Sequence, residues 1–437
     1  MGEALRGLTV RGRTVAVSGI AVLFLAWLLG QHDLLSVGIL AIALPLVCAA
    51  LIVRTRYRLT CARGVGSPRL AVGTSTTALV RLENSSNFAS GLLLVEDAVP
   101  DSLGTTSRIV IDRLESGGRR DLGTALTGTA RGRYTVGPVQ LTLRDPFGLC
   151  EVRRSFTATD TVIVTPHVVP LPPSTLAGMW GGRGDSEARS IAHSGDDDVI
   201  PRMYRTGDEL RRVHWRATAR AGELMVRREE QPWRTTATIL LDRRASSHRG
   251  TFPDSSFETA VSAAASAALN LIRHGLQVRV VDTDALTIAH CEPDGDAEGV
   301  LLDSLAVVEV SGDPAHRSGR NRTLSDSAAL RRAISDGTLL AIVSDLTPAD
   351  AQILGSLRGA GGVAACLIID PLSWSTDSLL TPAPMSAALL SSHGWRSAVL
   401  SPDRLLNDSV LRRADDDARL VAAWEALSLP LASGVLR

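Results

Sequence analysis

The sequence predicts a multidomain protein: an N-terminal two-helix transmembrane hairpin, an all-β immunoglobulin-like sandwich, then a doubly wound α/β domain. Three observations predict it. Two uncharged apolar runs, Val15–Gly30 and Leu34–Val53, are separated only by Gln31-His32-Asp33. Residues 55–165 alternate apolar and polar positions between turn signals, with no helical period. From Thr236 onward, apolar strand-like runs alternate with helical stretches, the pattern of a mostly parallel sheet.

A bilayer-spanning helix needs roughly 20 apolar residues, with about 17 the practical minimum. The second run meets this and the first lies near the limit. Arg6, Arg11 and Arg13 precede the pair, Arg54, Arg56 and Arg58 follow it, and the tip carries no Arg. By the positive-inside rule both termini of a two-pass hairpin (residues 1–54) are cytoplasmic, anchored in the cell (inner) membrane. The alternatives are a cleaved signal peptide and a buried soluble hairpin. No small-residue cleavage site follows Gly30, and a second run begins at once, which argues against the signal peptide.

Zero net charge points to no nucleic-acid partner, and 4% aromatic content gives few stacking platforms to Arg202–Arg220, the one Arg-dense stretch. All 46 basic residues are Arg. The absence of Lys excludes a Walker A lysine, a Schiff-base lysine and a Ser–Lys dyad. The five Cys (48, 61, 150, 291 and 366) are scattered without a C-x-x-C, so neither a zinc knuckle nor a dithiol redox pair is predicted, and reduced thiols suit a cytosolic bulk. His290 and Cys291, adjacent on a strand, point to opposite faces.

Within 55–165, Ala78–Glu83, Leu92–Val95, Arg108–Ile111 and Val139–Arg144 read as strands, punctuated by Asn84–Asn87, Gly117-Gly118, Gly137-Pro138 and Asp145-Pro146. Residues 166–235 divide into a Pro/Gly/Asp-rich extended linker up to residue 200 and an Arg-rich segment after it. An Arg183-Gly184-Asp185 tripeptide in the linker has no adhesion meaning in a cytosolic chain. The α/β domain, 236–437, reads as strands Ala237–Leu241, Gln277–Val281, Leu339–Val343, Ala364–Ile369 and Arg396–Leu400. Its helices are Phe257–His274, Ser327–Ser335, Pro348–Leu357 and Asp415–Leu427. Ligand sites in such sheets lie beyond the carboxyl ends of the strands.

The densest cluster of unusual residues is Tyr204–Arg220, in which Asp208 would cap a short helix. On that helix Arg212, Arg216 and Arg220 share a face, four residues apart. One reading is an anion or acidic-partner site built from guanidinium forks. The favoured one is structural: the Arg side chains pair with Asp208, Glu209, Glu223, Glu229 or Glu230, and Trp215 packs to anchor the segment to the sheet.

This segment and the upstream Asp145–Leu149 block together resemble the bacterial domain-of-unknown-function family fifty-eight. The family pattern Tyr-x-x-Gly-Asp-x-x-Arg-x-Ile/Val-x-Trp-x-x-x-Ala-Arg is matched at Tyr204, Gly207, Asp208, Arg211, Val213, Trp215, Ala219 and Arg220. The Asp-Pro-Phe-Gly-Leu block is matched at Asp145, Pro146, Phe147, Gly148 and Leu149. The resemblance covers nearly the whole chain and implies that the α/β domain is von Willebrand factor type A-like. It also implies genes beside a MoxR-type AAA+ ATPase and often a transglutaminase-like membrane protein, but no biochemical activity.

Type A domains often hold a divalent cation through Asp-x-Ser-x-Ser after the first strand and an Asp after a later one, hard oxygen ligands that suit Mg²⁺. Here the first set reads Asp242-Arg243-Arg244-Ala245-Ser246, and Asp345 matches the later Asp. Arg244 replaces the middle serine, and no Thr stands out for the second motif. Asp242, Ser246 and Asp345 are therefore candidate ligands of a degenerate Mg²⁺ site, with internal pairing to a guanidinium favoured over metal.

The sequence supports a membrane-anchored adaptor or scaffold that is not an enzyme, with a MoxR-type AAA+ ATPase as partner in envelope or complex assembly. The alternative is a metal-dependent hydrolase of an anionic substrate, using Asp242, Asp345 and the Arg-rich segment, with His214 the nearest general base. No nucleophile elbow, His-Glu-x-x-His or phosphate loop supports catalysis.

Overall fold

A computed structural model describes residues 7–56, 59–87, 89–145, 147–173, 201–204, 215–227, 236–293, 295–312, 324, 327–334, 338–358, 364–377, 380–404 and 409–428. The chain forms two compact units, Met1–His167 and Val168–Arg437. The apolar hairpin thus shares a unit with the β-strands that follow it.

In the first unit, helix α1 spans Val10–Leu29, capped by the Thr9 side chain accepting from Gly12 N–H, and ends at Gly30 in the left-handed region. Helix α2, His32–Arg56, follows directly. Both are long and apolar enough to cross a membrane. They meet at Gly19 and Gly38: a Cβ on Gly38 would lie 2.7 Å from Leu23 side-chain atoms and 3.1 Å from the Gly19 carbonyl oxygen. Outward faces carry Ile20, Phe24, Trp27, Ile39 and Leu40, all exposed.

The strands that follow are β1 (Leu59–Val65), β2 (Arg69–Ala71), β3 (Ser75–Asn84), β4 (Leu92–Asp97) and β5 (Ser107–Ile111). Then come β6 (Arg119–Thr127), β7 (Gly132–Val136), β8 (Val139–Arg144), β9 (Glu151–Ser155) and β10 (Asp160–Thr165). They form three short sheets, β1-β3-β6, β2-β10-β7 and β5-β4-β8-β9. Period-two alternation turns Ala78, Val80 and Leu82 of β3 inward. Two apolar clusters result, one with Leu59, Leu82, Leu93 and Leu141, the other with Leu103, Leu126, Val136 and Val162. The buried Arg63 guanidinium ties the three sheets together, reaching Asp97 of β4 at 3.2 Å and Asp160 of β10 at 2.6 Å.

The second unit opens with an antiparallel pair, β11 (Pro201–Met203) and β12 (Met225–Arg227), around helix α3 (Trp215–Ala221). Strand β13 (Thr236–Leu241) and a small hairpin, β14 (Gly250–Thr251) with β15 (Asp254–Ser255), lead into the Ala-rich helix α4, Ser256–Arg273. Then come β16 (Gln277–Asp282), β17 (Thr287–Cys291), α5 (Ala297–Ala306), α6 (Ser327–Ala333), β18 (Thr338–Val343) and α7 (Pro348–Leu357). The unit closes with β19 (Ala364–Ile369), α8 (Ala383–Ser392), β20 (Arg396–Leu400) and α9 (Ser409–Ser428).

The sheet order is β17-β16-β13-β18-β19-β20, parallel except for the antiparallel edge strand β17. Ile239 and Leu241 face α4, α5 and α9 on one side, and Leu240 faces α6, α7 and α8 on the other. Burial on both faces explains why the central strands read as mostly apolar runs rather than alternating ones.

The linker reading needs correction at its start. Val168 and Leu171 pack on the α4/α9 side of the core and Val169 lies within it. Val169 N–H donates to Ser266 Oγ at 2.9 Å, and Leu171 and Pro172 carbonyls accept from Asn270 and Trp424. Residues 174–200, with Arg183-Gly184-Asp185, lie outside the described residues.

Candidate functional site

Strand β13 leads first to β16 on one side, and the chain later returns to β18 on the other. The crevice between β13 and β18 is therefore the topological switch point, where open α/β sheets bind ligands beyond the carboxyl ends of their strands. Asp242 follows β13 directly, and Ser344-Asp345 follow β18.

An arginine fills this crevice. Arg244 Nε donates to Asp242 Oδ1 at 2.9 Å and Nη2 to Oδ2 at 2.7 Å, a two-pronged fork. Its Nη1 reaches Asp350 Oδ1 at 3.1 Å, in the first turn of α7. Asp242 and Asp350 side chains are fully buried and the Arg244 side chain is 7% exposed. Burial pushes the Asp242 carboxyl upward, but the Arg244 charge and hydrogen bonds outweigh it and hold the group below the ordinary carboxylate range. Burial opposes the Arg244 charge, and the two carboxylates outweigh that too, raising the guanidinium above its ordinary value.

Beneath the pair, His248 Nε2 lies 2.8 Å from the Asp242 carbonyl and Nδ1 3.0 Å from Ser256 Oγ. Ser256 Oγ also accepts from Arg249 N–H at 2.9 Å. The network assigns a neutral imidazole: Nε2–H donates to the carbonyl and Nδ1 accepts from the hydroxyl. The ring meets Phe257 edge-on at 5.1 Å. Burial holds the imidazole below its ordinary value, against the pull of Asp242.

Asp345 is buried nearby but plays another part, its Oδ1 accepting from Thr381 N–H at 3.1 Å. The second carboxylate on the guanidinium is instead Asp350, which also accepts from Leu324 N–H at 2.7 Å and closes a capping box with Thr347. Ser246 is half-buried, and its carbonyl accepts from Arg249 Nη1 at 2.6 Å. This donor set does not fit Mg²⁺, because both Asp242 oxygens are committed to a cation built into the chain. Beside it, Arg243 Nη1 pairs with the buried Asp282 at 2.7 Å.

Asp350 and His248 carry the cluster and are absent from the sequence reading. The Thr347-x-x-Asp350 spacing signals a helix start but not a partner 106 residues away, and His248 leaves no signal.

Of the Arg-rich signature, Gly207, Asp208 and Arg211, together with His214, lie outside the described residues. Tyr204 N–H donates to the Leu224 carbonyl at 2.8 Å, and Thr218 Oγ1 accepts from Met225 N–H at 3.0 Å, so β11, α3 and β12 form one small unit. Ala219 and Arg220 are exposed on α3. The packing role expected of Trp215 is corrected: the ring is 73% exposed, because α3 is a short helix presenting that face outward.

The upstream signature lies in the first unit. Asp145 carboxylate oxygens accept from Phe147 N–H at 3.1 Å and Cys150 N–H at 2.6 Å, winding the chain into a tight loop; Pro146 is outside the described residues. Thr9 then fastens α1 to that loop: its N–H donates to the Leu149 carbonyl at 2.9 Å and its hydroxyl to the Gly148 carbonyl at 2.7 Å. Cys150 Sγ donates to the Pro45 carbonyl of α2 at 3.4 Å. Burial, then Asp145 and Cys48, push the Cys150 thiol up to about 11, so it stays protonated as a donor. The block thus clamps the start of α1 and the Pro45 region of α2 to the strands.

No curated protein matches the chain. Among solved structures, it is similar to an alkylpurine DNA glycosylase from Pseudomonas fluorescens bound to DNA (14% identity, TM-score 0.15, covering 29% of this chain and 39% of that one). A protein of unknown function from Porphyromonas gingivalis matches at 15% identity and TM-score 0.17, covering 26% of this chain and 56% of that one. The sporulation control protein Spo0M from Bacillus subtilis matches at 12% identity and TM-score 0.16, covering 31% and 56%. This chain spans less than two thirds of each. Residues 201–375, from β11 to just past β19, match the family model described as protein of unknown function DUF58, and the match supports that family for this part of the chain.

Proposed function

We propose that the chain is a membrane-anchored scaffold. Helices α1 and α2 cross the cell membrane as a hairpin with both ends cytoplasmic. The β unit is immunoglobulin-like, and the α/β unit is a type A-like domain that docks a MoxR-type AAA+ ATPase in envelope or complex assembly. One observation carries the reading: the crevice where such a sheet would hold a ligand is filled by the Arg244 fork on Asp242. An internal cation turns a binding crevice into a rigid platform, which suits recognition of a protein surface better than catalysis. Support for the anchor comes from two helices of spanning length with exposed apolar faces. Arg11 and Arg13 lie at the start of the first helix and Arg54 and Arg56 at the end of the second.

The test is co-purification of the full-length protein, in detergent, with the co-expressed MoxR-type ATPase from the same bacterium. The two should co-elute in at least one of the ATP, ADP and nucleotide-free states. Separate elution in all three defeats the proposal. A Mg²⁺-dependent rise in melting temperature, absent in Asp242→Ala, would instead favour the metal-dependent hydrolase.

A further inference from the structure

We propose that Phe147 is a membrane-interface anchor: the loop that clamps the hairpin rests in the lipid headgroup layer, with the Phe147 ring pointing into the acyl boundary. The inference rests on the reading that α1 and α2 span the bilayer.

Length carries the argument. Helix α1 has 20 residues, about 30 Å at 1.5 Å per residue, which matches the hydrocarbon core of a bilayer. The clamp does not stop at the end of that helix. Leu149 sits over its first turn so closely that a Cβ on Gly12 would overlap the Leu149 carbonyl oxygen. Val15 packs against the same apolar cluster as Leu149 and Cys150. On the second helix the grip reaches equally far in: Cys150 bonds the Pro45 carbonyl, and Leu44, Cys48 and Ala49 join that cluster.

If the clamp stood wholly in water, only Ala16–Leu29 would remain to cross. That length is about 21 Å, well short of the roughly 30 Å core. The outer turns of the span must therefore lie at the depth of the clamp, which puts Asp145 and Phe147–Leu149 in the interfacial layer. Phe147 is 62% exposed there, while Leu149 two residues on is 6% exposed. An apolar ring held at that depth by Asp145 and Gly148 meets acyl chains, not water. Exposed Arg11 and Arg13 lie at the same level, where guanidinium groups meet lipid phosphates.

Full-length protein carrying the photoreactive residue p-benzoylphenylalanine in place of Phe147 tests this. Parallel samples carry it in place of Phe24, mid-span and 64% exposed, or Phe252, 56% exposed in the other unit. Each is reconstituted in phosphatidylethanolamine–phosphatidylglycerol vesicles, irradiated, and weighed intact by mass spectrometry. The expected result is a mass gain of one phospholipid at positions 24 and 147 and none at 252. An adduct at 24 without one at 147, or a crosslink from 147 to protein, overturns the anchor and leaves the span standing. No adduct at 24 removes the span, and the anchor with it, whatever 147 shows. Equal yields at 147 and 252 overturn it as well, because the loop would then be no closer to lipid than a remote surface.

Discussion

Replacing Arg244 by Met tests the strand-tip cluster directly. The methionine keeps an apolar stem of similar reach but removes two hydrogen bonds and a charge from Asp242 and one hydrogen bond from Asp350. Asp350 keeps Leu324 N–H and both Thr347 groups, whereas Asp242 keeps the backbone N–H of residue 244. The cost therefore falls mainly on Asp242, left charged and fully buried. Breaking a buried pair by removing one partner costs about 3–5 kcal/mol. At about 2–4 °C per kcal/mol for a domain of this size, the transition of the α/β unit should fall by about 6–20 °C at neutral pH.

The loss should also depend on pH. In the native protein Asp242 titrates below its unfolded value, so its contribution is present above about pH 4 and fades as pH falls through the folded value. Without the Arg244 side chain, burial, the largest influence on the carboxyl, is opposed only by the retained backbone hydrogen bond and His248 and raises it, so acid neutralises the orphan and the deficit should shrink as pH falls from 8 toward 5. A second change, Asp242→Asn, should restore part of the loss at neutral pH. Fluorescence of Trp395 and Trp424, both buried in this unit, reports the transition in detergent. A Met variant that melts with the parent protein, or a deficit equal at pH 5 and pH 8, refutes the ion-pair account.

Three further outcomes are expected. His248 titrates below its unfolded value, so its contribution is present above about pH 6.5 and lost as pH falls below that; His248→Gln should flatten the stability–pH curve between pH 5 and 7, and an unchanged slope would assign it elsewhere. Trp215→Ala should change stability by no more than about 0.5 kcal/mol, since the ring is largely in solvent; a large drop in a denaturant titration would mean the ring is covered in the native protein. Gly38→Val should cost about 1–3 kcal/mol of overpacking against Leu23 and the Gly19 backbone, read as a lower melting temperature in detergent; a neutral outcome would mean the helices do not touch there.

How far the sequence revealed the molecule depended on the range of the interaction. The apolar runs of β13, β18 and β19 read as strands because both faces of each are buried, and the alternation of β3 showed because one face is. Sheet order did not show, since nothing in a run such as Thr236–Leu241 names its neighbours. Helices α5 and α8 also escaped: α5 opens among Asp and Gly that read as a turn, and α8 begins in a Pro-rich stretch. At the site, Asp242 was visible through its place after a strand and Arg244 through its mismatch with an expected serine. Asp350 was hidden because its local role as a capping residue accounts for its presence. Trp215 misled, because a large aromatic in a dense motif suggests packing even where a short helix turns it outward.

The order of the six-stranded sheet has a consequence for how the chain is made. Its central strand is translated before either neighbour, and β18 begins at residue 338, almost a hundred residues after β13 ends at 241. At roughly 5–20 residues per second, one edge of a mostly apolar strand stays unpaired for about 5–20 s of synthesis. Helix α4 and strand β16 emerge early enough to cover one face and the other edge. The open edge facing the future β18 is then the point at which a nascent chain of this kind is most exposed to mispairing, and where a chaperone would need to act.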